Sequence, residues 1–184
     1  EYSAAGAYTR SWVKFTIGWI VVFAVRLIPF RPPNVEGVMA TLMPFGKHYG
    51  PLAGFGFGFL SIALFDIAVG KAGIWTLITG VSYGLLGTWA YYFFRNKSSS
   101  RTSYFMFSFV GTILFDAATG FSIGPLFFSQ PFAEAFIGQI PFTLWHLVGN
   151  CTFAIVLSPA LERWVLQNDA LEFPALLRRL QIAP

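Results

Sequence analysis

Charge is what this chain has least of. Only 11% of its 184 residues are Asp, Glu, Lys or Arg, against about 25% in a typical soluble domain. Cysteine occurs once, at Cys151. That excludes an intramolecular disulfide, and its place inside an apolar stretch argues against a reactive thiolate. Histidine occurs twice, at His48 and His146. The topology derived below puts the two on opposite sides of a membrane, which excludes a shared metal site. The basic balance, pI near 9.4, belongs to loops that anchor a membrane protein rather than to nucleic-acid binding.

Apolar residues fill the place of charge. They make up 55% of the chain, with a mean hydropathy of +0.62. Long stretches are nearly free of ionisable groups, each roughly long enough to cross about 30 Å of hydrocarbon. The reading is an all-α, single-domain, polytopic membrane bundle of six transmembrane helices over residues 1–184. The spans fall at about 12–28, 36–45, 51–69, 72–94, 102–118 and 134–157. The first apolar run reads as a true span, not a signal peptide. The second is short, which fits a broken or tilted helix. Pro131 or Pro141 suits the start of the sixth. Residues 159–183 form an amphipathic segment at the cytoplasmic surface.

Basic residues set the orientation. With the N-terminus inside, nine of the twelve fall on the inner side: Arg10, Lys14, Lys47, Arg95, Lys97, Arg101, Arg163, Arg178 and Arg179. Arg26, Arg31 and Lys71 remain outside. This positive-inside bias predicts both termini in the cytoplasm.

An internal repeat runs through the middle. Residues 55–70 read FGFGFLSIALFDIAVG and residues 105–120 read FMFSFVGTILFDAATG, identical at eight of sixteen positions. Two spans separate the copies, so spans three and four repeat in parallel as spans five and six, a layout known in transporters. Each copy ends on Phe-Asp-x-x-x-Gly, with Asp66 and Gly70 in one and Asp116 and Gly120 in the other. A carboxylate in hydrocarbon costs a few kcal/mol. The two Asp residues either orient equivalent structural corners or bind a ligand or cation.

Polar residues inside the spans are few. Gln139, Thr143, His146 and Asn150 recur at steps of four and three, on one helix face. Such a stripe faces protein or a water-filled cavity, not lipid. It serves inter-helix hydrogen bonding or a ligand pocket. Trp75, Thr79, Ser82, Leu86 and Trp89 form a second stripe on span four, an aromatic wall with hydroxyls that suits a flat ligand or ordinary packing. Glu134 stands at the outer mouth of span six.

Enzymatic patterns fail in context. Gly80-Val-Ser-Tyr-Gly84 spells a nucleophile elbow but lies inside a membrane helix, not at a strand-to-helix turn. His146 with Asn150 is spelled like a rhomboid protease helix, but the partner Gly-x-Ser-Gly is absent. No phosphate-binding loop is present, so the chain does not hydrolyse ATP. The expectation is a protein that is not an enzyme and carries no metal or cofactor.

The size, the short second span, the Pro-rich stretch Pro29 to Asn34, Gly50-Pro-Leu-Ala-Gly-Phe55, Phe65-Asp-x-x-x-Gly70 and His146-Leu-Val-Gly-Asn150 together resemble a known family. The chain is similar, over about residues 12–160, to the substrate-binding S components of energy-coupling factor (ECF) transporters. The resemblance implies a subunit in a prokaryotic cytoplasmic membrane that captures a vitamin-like solute from outside. It implies a partner T subunit and ATPase subunits. It places the pocket in the outer half and points to Trp75, Thr79, Glu134, Gln139, His146 and Asn150, with Arg31 or Asn34 in the covering loop. The competing expectation is a structural or accessory subunit of a larger membrane complex, without a ligand and with a dry interior around His146.

Overall fold

The computed structural model describes residues 4–31 and 35–181. Every regular element among them is helical: α1 (Ala4–Arg26), α2 (Val38–Tyr49), α3 (Pro51–Ala68), α4 (Ile74–Phe94), α5 (Arg101–Phe127), α6 (Phe132–Leu161) and α7 (Phe173–Gln181). A π-helical turn, Glu162–Leu166, prolongs α6, and a short 3-10 turn, Asp169–Leu171, leads into α7.

Among the described residues, three helices are long and apolar enough to cross a membrane: Pro51–Ala68, Arg101–Phe127 and Phe132–Leu166. They mark the chain as a membrane protein by length and composition. Helices α1 and α4 have the length, with 23 and 21 residues. Their apolar runs are diluted, by Lys14 in α1 and by hydroxyls and glycines in α4.

The second predicted span is a different kind of element. At 12 residues, α2 is about 18 Å long. Every residue from Val38 to Gly46 is buried. It is the core of the bundle, packed by α3, α4 and α6. Phe45 stacks on Phe57 of α3 at 4.2 Å between ring centroids, and Ser158 of α6 donates to the Ala40 carbonyl at 2.7 Å. A helix sheathed in protein meets no lipid, so it needs neither the length nor the unbroken apolarity of a span. Pro44 lies inside it.

Two antiparallel hairpins wrap this core. In α3–α4 the seam is made of glycine. A Cβ on Gly87 would meet the Gly54 carbonyl oxygen at 2.0 Å, and one on Gly54 would meet that of Gly87 at 2.3 Å. The backbones touch because neither residue has a side chain, as at small-residue seams of membrane helices. In α5–α6 the seam is polar: Asn150 Nδ2 donates to Thr112 Oγ1 at 2.9 Å, and His146 meets Asp116 one turn away. Outward-facing positions are apolar, among them Leu114, Ile137, Leu144 and Val148.

The repeat is only partly reproduced in three dimensions. Gly70, at φ 69°, follows the end of α3, as a helix-terminating glycine does. Gly120 lies inside α5, which continues to Phe127 past the predicted boundary at 118. The second copy therefore has no corner at that position. Gly120 instead clears space for α6, since a Cβ there would meet Gln139 Oε1 at 2.0 Å. The predicted tail also begins later than residue 159, because α6 and its π turn run on to Leu166.

Polar side chains gather at the two ends of the bundle. At one end Lys47 Nζ and Glu162 Oε1 pair at 2.8 Å, and Ser99 donates to the same oxygen at 2.6 Å. Tyr104 donates to the other carboxylate oxygen of Glu162. Buried Lys14 donates to the Leu166 carbonyl at 2.8 Å and pairs with Glu172 at 2.7 Å. This cluster ties α1, α2, the α4–α5 loop and the C-terminal segment together. The opposite end holds the cavity described next.

Candidate ligand site

The cavity, about 340 Å³, opens where α1 ends, α2 begins, and α3 turns into α4. Arg26 is the last residue of α1, and Arg31 and Glu36 stand in the connection to α2. Tyr83 and Thr79 come from α4, Phe115 from α5, and His146 and Phe142 from α6.

A row of polar contacts crosses the bundle beneath it. Tyr83 Oη donates to Glu36 Oε1 at 2.5 Å and stands 3.4 Å from His146 Nε2. The other imidazole nitrogen, Nδ1, is 2.7 Å from Asp116 Oδ1. Tyr83, His146 and Asp116 are all buried. Four elements are thus joined through one tyrosine and one histidine. Phe115 packs on Tyr83 at 4.2 Å and edge-on to His146 at 5.6 Å between centroids, closing the row from the α5 side.

Arg26 sits at the head of this row. Its guanidinium lies 3.7 Å from Glu36 Oε2 and 3.6 Å from Asp66 Oδ1, and 4.2 Å from the centroid of the Phe65 ring. Asp66 Oδ2 accepts from Thr76 Oγ1 at 2.7 Å, and that oxygen accepts from the Gly73 amide at 3.0 Å. Asp66 therefore does shape the α3–α4 corner while also facing a cation across the cavity. Asp116 does something different, since it holds the histidine of α6.

The predicted site residues separate into groups. His146, Trp75, Thr79 and Arg31 line the cavity. Asn150 is fully buried one turn below His146, tied to Thr112, with Oδ1 unpartnered. Gln139 and Thr143, 3.3 Å apart, line a second, apolar groove of about 310 Å³ between α5 and α6, which Asp116 also lines; Asp116 Oδ2 is buried without a hydrogen-bond partner among the described residues. Glu134 is exposed near the start of α6 and lines neither. Asn34 lies outside the described residues. Four polar lining residues were missed: Arg26, Glu36, Lys71 and Tyr83. The first three carried a signal, being ionisable groups at the edges of apolar runs. Tyr83 did not stand out, because the polar stripe of α4 passes through Ser82. Ser82 Oγ in fact donates to the Ile78 carbonyl of its own helix at 2.8 Å, and Tyr83, one position on, faces inward.

Among the described residues no group of three or more His, Cys, Asp and Glu is placed to hold a metal ion. Comparison with protein-family models, with curated proteins and with solved structures finds no match to this chain.

Proposed function

We propose that this chain is the membrane-embedded capture subunit of an uptake transporter of the ECF type. It takes a small vitamin-like solute from the outer side of a prokaryotic cytoplasmic membrane and passes it to an energising module of a T subunit and ATPases. The observation that carries this reading is the cavity at the Arg26 end. A pocket of this size, walled by rings and a few convergent polar groups, is the usual form of a small-molecule site. A guanidinium and an imidazole inside a membrane bundle are costly and commonly mark a functional site.

The orientation rests on charge. The nine basic residues assigned inward belong to the Glu162 end and the flanking segments, and Arg26, Arg31 and Lys71 to the cavity end. With the cavity outward, the chain crosses six times, and α2 crosses inside the protein rather than against lipid. The hairpins α3–α4 and α5–α6 are then a parallel repeat around that central helix, with a site between them.

One observation favours the accessory-subunit reading. His146 is 2% exposed and is engaged by Asp116 and Tyr83 within the bundle, as a packed interior requires. Native mass spectrometry of the detergent-purified chain separates the two. Capture predicts a co-purifying small molecule that is lost when Thr79→Trp fills the cavity. Co-purifying membrane proteins with no small molecule would instead establish the accessory role.

A further inference from the structure

We propose that the ligand of this cavity is a small flat monocarboxylate, received by Arg26 and Arg31; this rests on the capture reading above. Several hydrogen bonds at this end of the bundle are left unmade. Both carboxylates near Arg26 lie at 3.6 Å or beyond, close enough for charge attraction but too far for hydrogen bonding. Arg26 Nε and Nη1 are buried with no hydrogen-bond partner among the described residues. Arg31 donates through Nη1 to the Val35 carbonyl, and its Nε is likewise buried and unpartnered. Buried N–H groups are rarely left so. Here three of them, on two guanidinium groups, belong to side chains that line one cavity.

The neighbouring acids each have one oxygen engaged elsewhere and hold the other at 3.7 Å (Glu36) and 3.6 Å (Asp66) from the Arg26 guanidinium, beyond hydrogen-bond reach. Glu36 accepts from Tyr83, and Asp66 accepts from Thr76. They hold the Arg26 side chain from two sides while Phe65 lies against it. The guanidinium is fixed in place with donors unoccupied, which is how a receptor for a planar oxyanion is built.

Charge and size narrow the class. The lining includes Arg26, Arg31 and Lys71 against Glu36 and Asp66, a surplus of one positive charge that a monoanion neutralises. His146 is engaged from behind by Asp116. The volume of about 340 Å³ lies near the lower end of the range for small-molecule sites. Trp75, Tyr83, Phe115 and Phe142 supply ring faces and edges. A single ring bearing one carboxylate fits this lining.

The test uses three probes of one shape and different charge: benzoate, benzamide and benzylamine. They are titrated calorimetrically into the full chain in lipid nanodiscs. The expected result is that benzoate binds at least about tenfold more tightly than either of the others. Arg31→Gln should lower benzoate affinity about tenfold or more and benzamide affinity by distinctly less. Arg26→Lys, which keeps the charge that faces Glu36 and Asp66, should lower benzoate affinity as well by removing the planar fork. Equal or tighter binding of benzamide or benzylamine overturns the monocarboxylate class and leaves capture standing. If no probe binds, the co-purified mass decides. A carboxylate supports the proposal, a neutral or cationic molecule overturns the class alone, and no mass at all overturns both the class and the capture reading.

Discussion

Tyr83 and His146 do unequal work in the same row of contacts. The Tyr83 hydroxyl joins Glu36 to the imidazole, and its ring packs on Phe115. Removing the hydroxyl alone keeps the ring and costs about one buried hydrogen bond, ~1–2 kcal/mol. His146 is the partner of a buried carboxylate. Truncating it strands Asp116, and breaking a buried pair from one side costs about 3–5 kcal/mol. Thermal unfolding in detergent should therefore rank His146→Ala well below Tyr83→Phe, with native helix content retained in the latter. Equal melting temperatures would show that the Asp116–His146 contact does not hold the hairpin. The same contact makes His146→Ala a poor probe of ligand binding, because lost binding would be confounded with lost packing. The sequence marked His146 as informative through its spacing from Asn150. It did not reveal the partner, since pairing across helices depends on which turns of α5 and α6 meet.

Among the elements, the two hairpins reach close packing by different chemistry. Helices α3 and α4 meet backbone to backbone at Gly54 and Gly87, while α5 and α6 meet through Asn150–Thr112 and His146–Asp116. The repeated Asp has a common role at this level. Asp66 takes a hydroxyl from α4, and Asp116 takes the imidazole of α6, so each carboxylate ties its helix to the other half of its own hairpin. The duplication was legible because eight of sixteen residues match. The divergence was not, because the sequence after Gly120 carries no immediate stop and α5 runs on. The buried role of α2 was also hidden. A short apolar run reads alike whether it faces lipid or protein. The glycine seam yields a paired prediction. Gly87→Val should abolish the monodisperse peak in size-exclusion chromatography, since even a methyl group cannot enter the α3 backbone. Gly56→Ala on the same hairpin meets nothing within 4 Å and should be neutral or stabilising by up to ~1 kcal/mol. A well-folded Gly87→Val variant would refute the close seam.

Across the whole molecule, the distribution of polarity is inverted relative to a water-soluble bundle. Apolar side chains cover the outside, and ionic groups are concentrated at two ends. The Glu162 cluster pins α1, α2, the α4–α5 loop and the C-terminal segment together. The Arg26 end instead encloses an open volume with donors left unpaired. One end is closed by its own ion pairs, while at the other the ion pairs of Arg26 border an open volume. Under the proposed orientation the open end faces the medium from which a solute is captured. Cysteine accessibility shows which side of the membrane the cavity opens to. In a Cys151→Ser background, Thr79→Cys places a thiol in the cavity and Ser98→Cys places one on the exposed loop at the opposite end. Intact cells are then treated with a membrane-impermeant maleimide. The account predicts labelling at position 79 from outside, and at position 98 only after permeabilisation. Labelling at 98 in intact cells, with 79 protected until the membrane is opened, would contradict it.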